Sequence, residues 1–437
     1  MDLEKTHQHK KHKDGSVKRF FKNLGPGLIT GAADDDPSGI ATYSQTGAQF
    51  GFGQLWTAVF MLPLMMSVQE ACARIGQVTG KGIVAVIKEH YSKKVAFAVV
   101  VLVLIANTIN IGADIGAMAA AANLIVPVDF TLLTLFFTAF ILILEIFTSY
   151  KTYARILKWL ALTLFSYVIT MFIVTDSWGT VLRATFVPHF EWSFAFLFII
   201  TGVLGTTISP YMFFWEADEE VEEEREHHKI GKDGKPRITI DDVRNMRIDN
   251  AAGMLTSEFA TWCIIVTTAT VLWSHGVTDI KTSADAAKAL EPLVTTFPNA
   301  GFLAKFIFAI GVVGLGMLAV PVLAGSASYA VSEAMNWRAS LNYKFRKAHG
   351  FYGVITIATL VGLGINFVGI DPIKALIVTA VINGLVAVPL IFIVARVANN
   401  REVMGDFRSG WLSNTFVWLT FLCMAVASIA MAVTWFA

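Results

Sequence analysis

Long apolar runs, each about the length a helix needs to cross a bilayer, recur along the whole chain between short charged or Pro/Gly-rich breaks. Eleven of them lie near 23–48, 53–73, 95–124, 129–147, 153–175, 193–215, 247–273, 302–333, 351–368, 373–396 and 412–436. Gly, Ser and Thr inside several runs let helices approach closely, which predicts a packed bundle rather than separate anchors. The pattern therefore describes an all-α integral membrane protein with one transmembrane domain, 23–437, behind a polar N-terminal tail, 1–22.

Composition agrees with the pattern. The 437 residues are 55% hydrophobic and only 15% charged, too little polar surface to cover a globule in water. With 34 Lys plus Arg against 33 Asp plus Glu, a strongly basic nucleic-acid binder is excluded, and no zinc-finger spacing or stacking motif appears. Cys72, Cys263 and Cys423 stand far apart in apolar sequence, so they read as packing residues rather than a disulfide framework or metal site.

Charge outside the runs sets an expected orientation. The tail carries Lys5, Lys10, Lys11, Lys13, Lys18, Arg19 and Lys22 and is too polar for a signal peptide. Counting from a cytoplasmic tail, one set of loops holds Arg74, Lys81, Lys88, Lys93 and Lys94, then Lys151, Arg155 and Lys158, then Arg338, Lys344, Arg346 and Lys347, then Arg396, Arg401 and Arg408. The other set offers only Arg183, Lys281 and Lys288. The positive-inside rule then places the N-terminus in the cytoplasm and the C-terminus outside, in a multi-pass plasma-membrane protein. The acids of 216–226 (Glu216, Asp218, Glu219, Glu220, Glu222, Glu223, Glu224, Glu226) read first as a solvated helix end and loop. The sharper alternative is a cytoplasmic mouth that collects cations.

Two runs are broken from within. Span one carries Asp34, Asp35, Asp36, Pro37, Ser38 and Gly39 amid apolar residues, and proline with glycine should unwind the helix there, exposing carbonyls beside carboxylates. One charge at membrane depth costs about 2.5 kcal/mol or more, so three neighbouring acids must line water or bind a cation. Span six repeats the device at Gly205, Thr206, Thr207, Ile208, Ser209, Pro210 and Tyr211. Two broken helices in equivalent places predict an inverted repeat of spans one to five (23–175) and six to ten (193–396), an eleventh span (412–436) outside it, and a site at the midplane. Other polar candidates are Glu70, Glu145, Glu258, Asn383 and above all Asp114, mid-span among Gly112, Ala113, Gly116 and Ala117. Glu70 and Glu145 sit near predicted helix ends and read as interfacial, and Met317 as packing.

These residues resemble the Nramp family of divalent metal transporters, with the LeuT-type fold. The likeness runs through Gly25, Pro26 and Gly27, the Asp36-Pro37-Ser38-Gly39 break, Gln49-Phe50-Gly51-Phe52, Val78-Thr79-Gly80-Lys81 and the span-six break. It implies 11 or 12 spans, metal bound between the breaks and usually proton-coupled uptake. The family's first motif is Asp-Pro-Gly-Asn, so Asp36 keeps the carboxylate while Gly39 stands where the ligand Asn would be. Its second is Met-Pro-His, here Ser209, Pro210 and Tyr211, so the thioether is lost. Soft sulfur suits transition metals, whereas Mg²⁺ takes oxygen and keeps several waters. Asp36, the Thr206 carbonyl, Ser209, Asp114 and Asp35 offer only oxygen, and small Gly39 and Ser209 leave room for water. The resemblance is thus strongest to the family's magnesium branch, with Mn²⁺/Fe²⁺ by proton coupling, or another hard ion such as Al³⁺, as alternatives. The acids on span three of proton-coupled members fall here on Asn110 and Ala113. Tyr211 replaces a histidine, and span nine lacks those relatives' basic residues, which points to transport without protons.

Three other classes compete. A sodium-coupled carrier of organic solutes would place a substrate carboxylate on a half-helix N-terminus, where three consecutive acids would repel it. An intramembrane aspartyl protease could use Asp36 and Asp114, but no Gly-x-Gly-Asp occurs. A channel differs from a carrier in rate rather than in ligand type. The reading is a non-enzymatic importer working by alternating access, with the metal ion and the bilayer as its partners, no cofactor and no obligatory protein partner.

Overall fold

The computed structural model describes residues 30–31, 33–148, 160–231 and 236–436. The basic tail, the Gly25-Pro26-Gly27 motif and the loop with Lys151, Arg155 and Lys158 lie outside the described residues. Helices follow one another as α1 (Pro37–Phe50), α2 (Trp56–Thr79), α3 (Ile83–His90), α4 (Lys93–Asn123), α5 (Phe130–Phe147), α6 (Phe165–Val174), α7 (Trp178–Phe186), α8 (Phe194–Thr207), α9 (Pro210–Glu226), α10 (Ile240–Val271), α11 (Ser283–Ala287), α12 (Ala300–Met335), α13 (His349–Ile365), α14 (Pro372–Ala398), α15 (Arg401–Met404) and α16 (Trp411–Phe436). Over its described residues every apolar run coincides with helix, while α3, α7, α11 and α15 are short connectors. By length and composition eight described helical segments can span a bilayer, with α8 and α9 counted as one, and 162–174 and 349–365 are shorter apolar helices.

Local chemistry marks where helices start and stop. Ser92, Asp129, Ser193 and Asp371 accept backbone N–H groups of the first turns of α4, α5, α8 and α14, and Thr239 with Asp242 forms a capping box on α10. Gly80, at φ 64°, ends α2 by donating its N–H to the Gly76 carbonyl, which explains the glycine of the Val78-Thr79-Gly80-Lys81 segment.

The breaks are narrower than the sequence suggests. Residues 30, 31, 33 and 34 are helical, only Asp35 and Asp36 leave the helix, and Pro37 is already the first residue of α1, so Ser38 and Gly39 sit in its first turn. In span six Thr206 and Thr207 remain helical, Ile208 and Ser209 form the break, and Pro210 opens α9. Proline fits a first helical turn because its missing N–H would be an orphan there anyway.

The largest departure concerns the acids of 216–226. They continue α9 rather than forming a solvated loop, and Glu216, Asp218, Glu220, Glu222 and Glu224 are buried. α9 packs against α2 and α12, so its polar side has neighbours that the local sequence does not reveal. Elsewhere the bundle is inverted relative to a water-soluble protein, with Phe97, Phe172, Ile357 and Ile429 exposed and charged groups inside. α4 lies against α12 and α8 against α14. A Cβ on Gly205 would stand 2.1 Å from the Ala380 carbonyl oxygen, so only glycine permits the α8–α14 crossing.

Candidate metal-transport site

Both breaks are arranged around a proline that removes one helical hydrogen bond. Pro37 has no N–H for the Ala33 carbonyl, and the Tyr211 hydroxyl donates to that oxygen instead, at 3.0 Å. Pro210 likewise denies the Thr206 carbonyl its helical donor. The C-terminal end of α8 thus brings partial negative charge to the break, as a cation requires.

Asp36 is the N-cap of α1 and is 1% exposed. Its Oδ1 accepts from the Gly39 N–H at 2.7 Å and from the Ser38 hydroxyl at 2.6 Å, and its Oδ2 accepts from the Asn110 amide at 3.2 Å. These bonds hold a carboxylate where burial alone would make it costly. Ser38 Oγ lies 3.2 Å from Thr206 Oγ1, which ties the two breaks together. A Cβ on Gly39 would stand 3.5 Å from Thr206 Oγ1, so the glycine lies directly beside the second break.

The predicted residues do not all converge. Asp36, Gly39 and Thr206 lie together where the two breaks meet. Ser209 is buried, but its hydroxyl donates to the Gly205 carbonyl at 2.8 Å and accepts from Asn383 at 3.4 Å, so its one O–H is spent on the helix end and one lone pair on the amide, which leaves one lone pair for an ion. Asp114 stands one turn beyond Asn110 on α4 and within electrostatic range of Asp36, with neither carboxyl oxygen bonded to a protein group among the described residues. Asp35 turns to α10, where Ser257 donates to its Oδ1 at 3.3 Å. Among the described residues no three His, Cys, Asp or Glu side chains converge to hold a metal, so carbonyls, hydroxyls and water would have to complete a coordination shell.

The remaining polar candidates separate cleanly. Glu70 is buried and bridges Arg74 (3.2 Å), Arg247 (2.8 Å) and Ser413 (2.9 Å), joining α2, α10 and α16. Glu145, near the end of α5, is also buried. Met317 packs in the core, and Cys72 and Cys263 are buried free thiols. Sequence reasoning missed Asn110 as a partner of Asp36, and missed Ser257. Asn110 shares its apolar helix with Asn107, so the sequence did not tell which amide reaches the break, and nothing distinguished Ser257 from the small polar residues that line helix contacts.

Two helices interrupted at facing prolines, with a carboxylate at one break and freed carbonyl at the other, define a broken-helix, inverted-repeat membrane protein of the LeuT-type fold. A family model described as natural resistance-associated macrophage protein-like, Nramp, matches residues 27–434, and the chain belongs to that family. It is 24% identical over 394 residues to the divalent metal cation transporter MntH of Caldanaerobacter subterraneus subsp. tengcongensis, covering 90% of this chain and 88% of the relative. The structure of the Eremococcus coleocola manganese transporter bound to an aromatic bis-isothiourea substituted compound superposes with a TM-score of 0.72 at 16% identity, covering 96% of this chain and 88% of that one. MhsT in complex with L-phenylalanine shares the fold at a TM-score of 0.60 and 13% identity, over 94% of this chain and 98% of that one.

Proposed function

We propose that this chain is a secondary carrier of a divalent metal cation, working by alternating access about the two breaks. The observation that carries the reading is the Asp36 carboxylate, held by Ser38, Gly39 and Asn110 opposite the α8 end whose Thr206 carbonyl lacks its helical donor. Asp36, the Thr206 carbonyl and Ser209 are its ligands, Gly39 leaves space for water, and Asp114 and Asp35 add charge nearby. Family membership supports a transporter rather than an enzyme. The two repeats are 23–175 and 193–396, with 412–436 outside them. The basic loops support a plasma-membrane protein with a cytoplasmic N-terminus and an extracellular C-terminus.

On the cargo, the names of the MntH relative and the manganese transporter favour Mn²⁺, the transition-metal alternative, over the magnesium that residue chemistry alone put first. Carboxylate, carbonyl and water suit both ions. Mg²⁺ stands as the second reading on one observation, the serine at position 209 where the family motif has a sulfur ligand. Proteoliposome uptake of Mn²⁺ in competition with Mg²⁺, Ca²⁺ and Cd²⁺ tests both. Mn²⁺ uptake that excess Mg²⁺ does not reduce would rule out the second reading, and no uptake of either ion would overturn the proposal.

A further inference from the structure

The end of the first half of span one, at Asp34 and Asp35, has a second polar face turned toward α10. The Ser257 hydroxyl on α10 hydrogen-bonds Asp34 Oδ2 as well as Asp35 Oδ1. The next residue along α10, Glu258, is 3% exposed, and neither of its carboxyl oxygens bonds a protein group among the described residues. Asp34 Oδ1 is in the same condition. Glu258 lies within electrostatic range of both Asp34 and Asp35, and the Tyr43 phenol is within range of all three. The charged groups acting on Asp35 and Glu258 are themselves carboxyls, so among the described residues no cationic side chain neutralises them.

Buried carboxyl oxygens without a donor are costly whether the acid is ionised or neutral, and a cation is the simplest group that satisfies several at once. Direct chelation does not fit, because these acids do not converge closely enough to hold a bare ion. An ion that retains its water shell bridges that gap, since the waters donate outward to carboxylates. We propose that Asp34, Asp35, Ser257 and Glu258 form a second cation station, which holds the divalent cargo through its hydration water beside the Asp36 site. The inference rests on the cargo reading above. The station selects by charge and size rather than by ligand softness. Glu216, another buried acid, is held separately by Thr30 from span one and Asn250 from α10.

The test counts Mn²⁺ bound to the full chain in lipid nanodiscs, from the loss of the free-ion signal in electron paramagnetic resonance. The wild type should bind two ions per chain at saturation. Glu258→Gln and Asp34→Asn, each checked for monodisperse elution, should bind one, as should Asp36→Ala, and the Asp36→Ala/Glu258→Gln double variant none. A wild-type count of one that Asp36→Ala abolishes and Glu258→Gln retains would overturn the station, making its acids protonated structural groups, while leaving the cargo reading intact. A wild-type count of zero would remove the cargo reading itself, and the station with it.

Discussion

Asp36 does two jobs that a substitution can separate. As N-cap it fixes the start of α1 through the Gly39 N–H, and as a carboxylate it supplies the negative charge at the break. Asparagine caps a helix nearly as well as aspartate but carries no charge, whereas alanine loses both functions. Asp36→Asn should therefore abolish cation uptake with thermal stability close to wild type, and Asp36→Ala should abolish it and cost about 1 kcal/mol more. Uptake and melting temperature on the same preparations check this, and normal uptake by Asp36→Asn would remove Asp36 from the site. Ser209→Met supplies a soft, bulkier ligand and deletes the hydroxyl that now bonds Gly205. It should raise uptake of Cd²⁺ relative to Mg²⁺, about tenfold if the sulfur adds about 1.4 kcal/mol of preference. An unchanged ratio in competition flux would mean that position 209 does not face the ion.

At the scale of elements, the Tyr211 hydroxyl substitutes for the hydrogen bond that Pro37 cannot make to Ala33, and so clamps the first half of span one against α9. Tyr211→Phe leaves that carbonyl buried without a donor, at about 1–3 kcal/mol. The clamped arrangement should lose population by roughly tenfold or more, seen as faster amide exchange across 30–34, and unchanged exchange there would show that another donor serves the carbonyl. The α8–α14 crossing is less forgiving. Gly205→Val would force side-chain atoms into the Ala380 carbonyl, 2.1 Å from where a Cβ would stand, and rigid helix backbones cannot yield without shifting the break. A loss of about 1–3 kcal/mol or more in stability is expected, and a melting temperature equal to wild type would contradict the close packing.

Across the whole molecule the question is what drives the ion. The Asn110 amide stands beside Asp36 and cannot change charge. A dication moving down the membrane potential gains about 4.6 kcal/mol per 100 mV, twice the single-charge value, so no proton is required. With the potential clamped by a potassium ionophore, cation entry into proteoliposomes holding a pH-sensitive dye should leave the internal pH unchanged. Acidification that tracks entry and vanishes in Asp36→Asn would show coupling instead.

The broad architecture was legible because its causes are local. Apolar run length sets which segments become membrane helices, proline at 37 and 210 removes particular backbone donors, and Gly80 and Thr239 end and start helices by their own geometry. The carboxylate at the first break and the loss of sulfur at the second follow from single residues. Tertiary structure decided the rest, since hydrogen-bond partners far apart in sequence leave no periodic trace. It put Asn110 on Asp36, turned Asp35 away to Ser257, spent the Ser209 hydroxyl on Gly205 and made Glu70 an ion-pair bridge. It also buried five acids of α9 (Glu216, Asp218, Glu220, Glu222 and Glu224), which by composition alone belong in water, because α2 and α12 cover that helix. A charge run records its own polarity but not what packs against it.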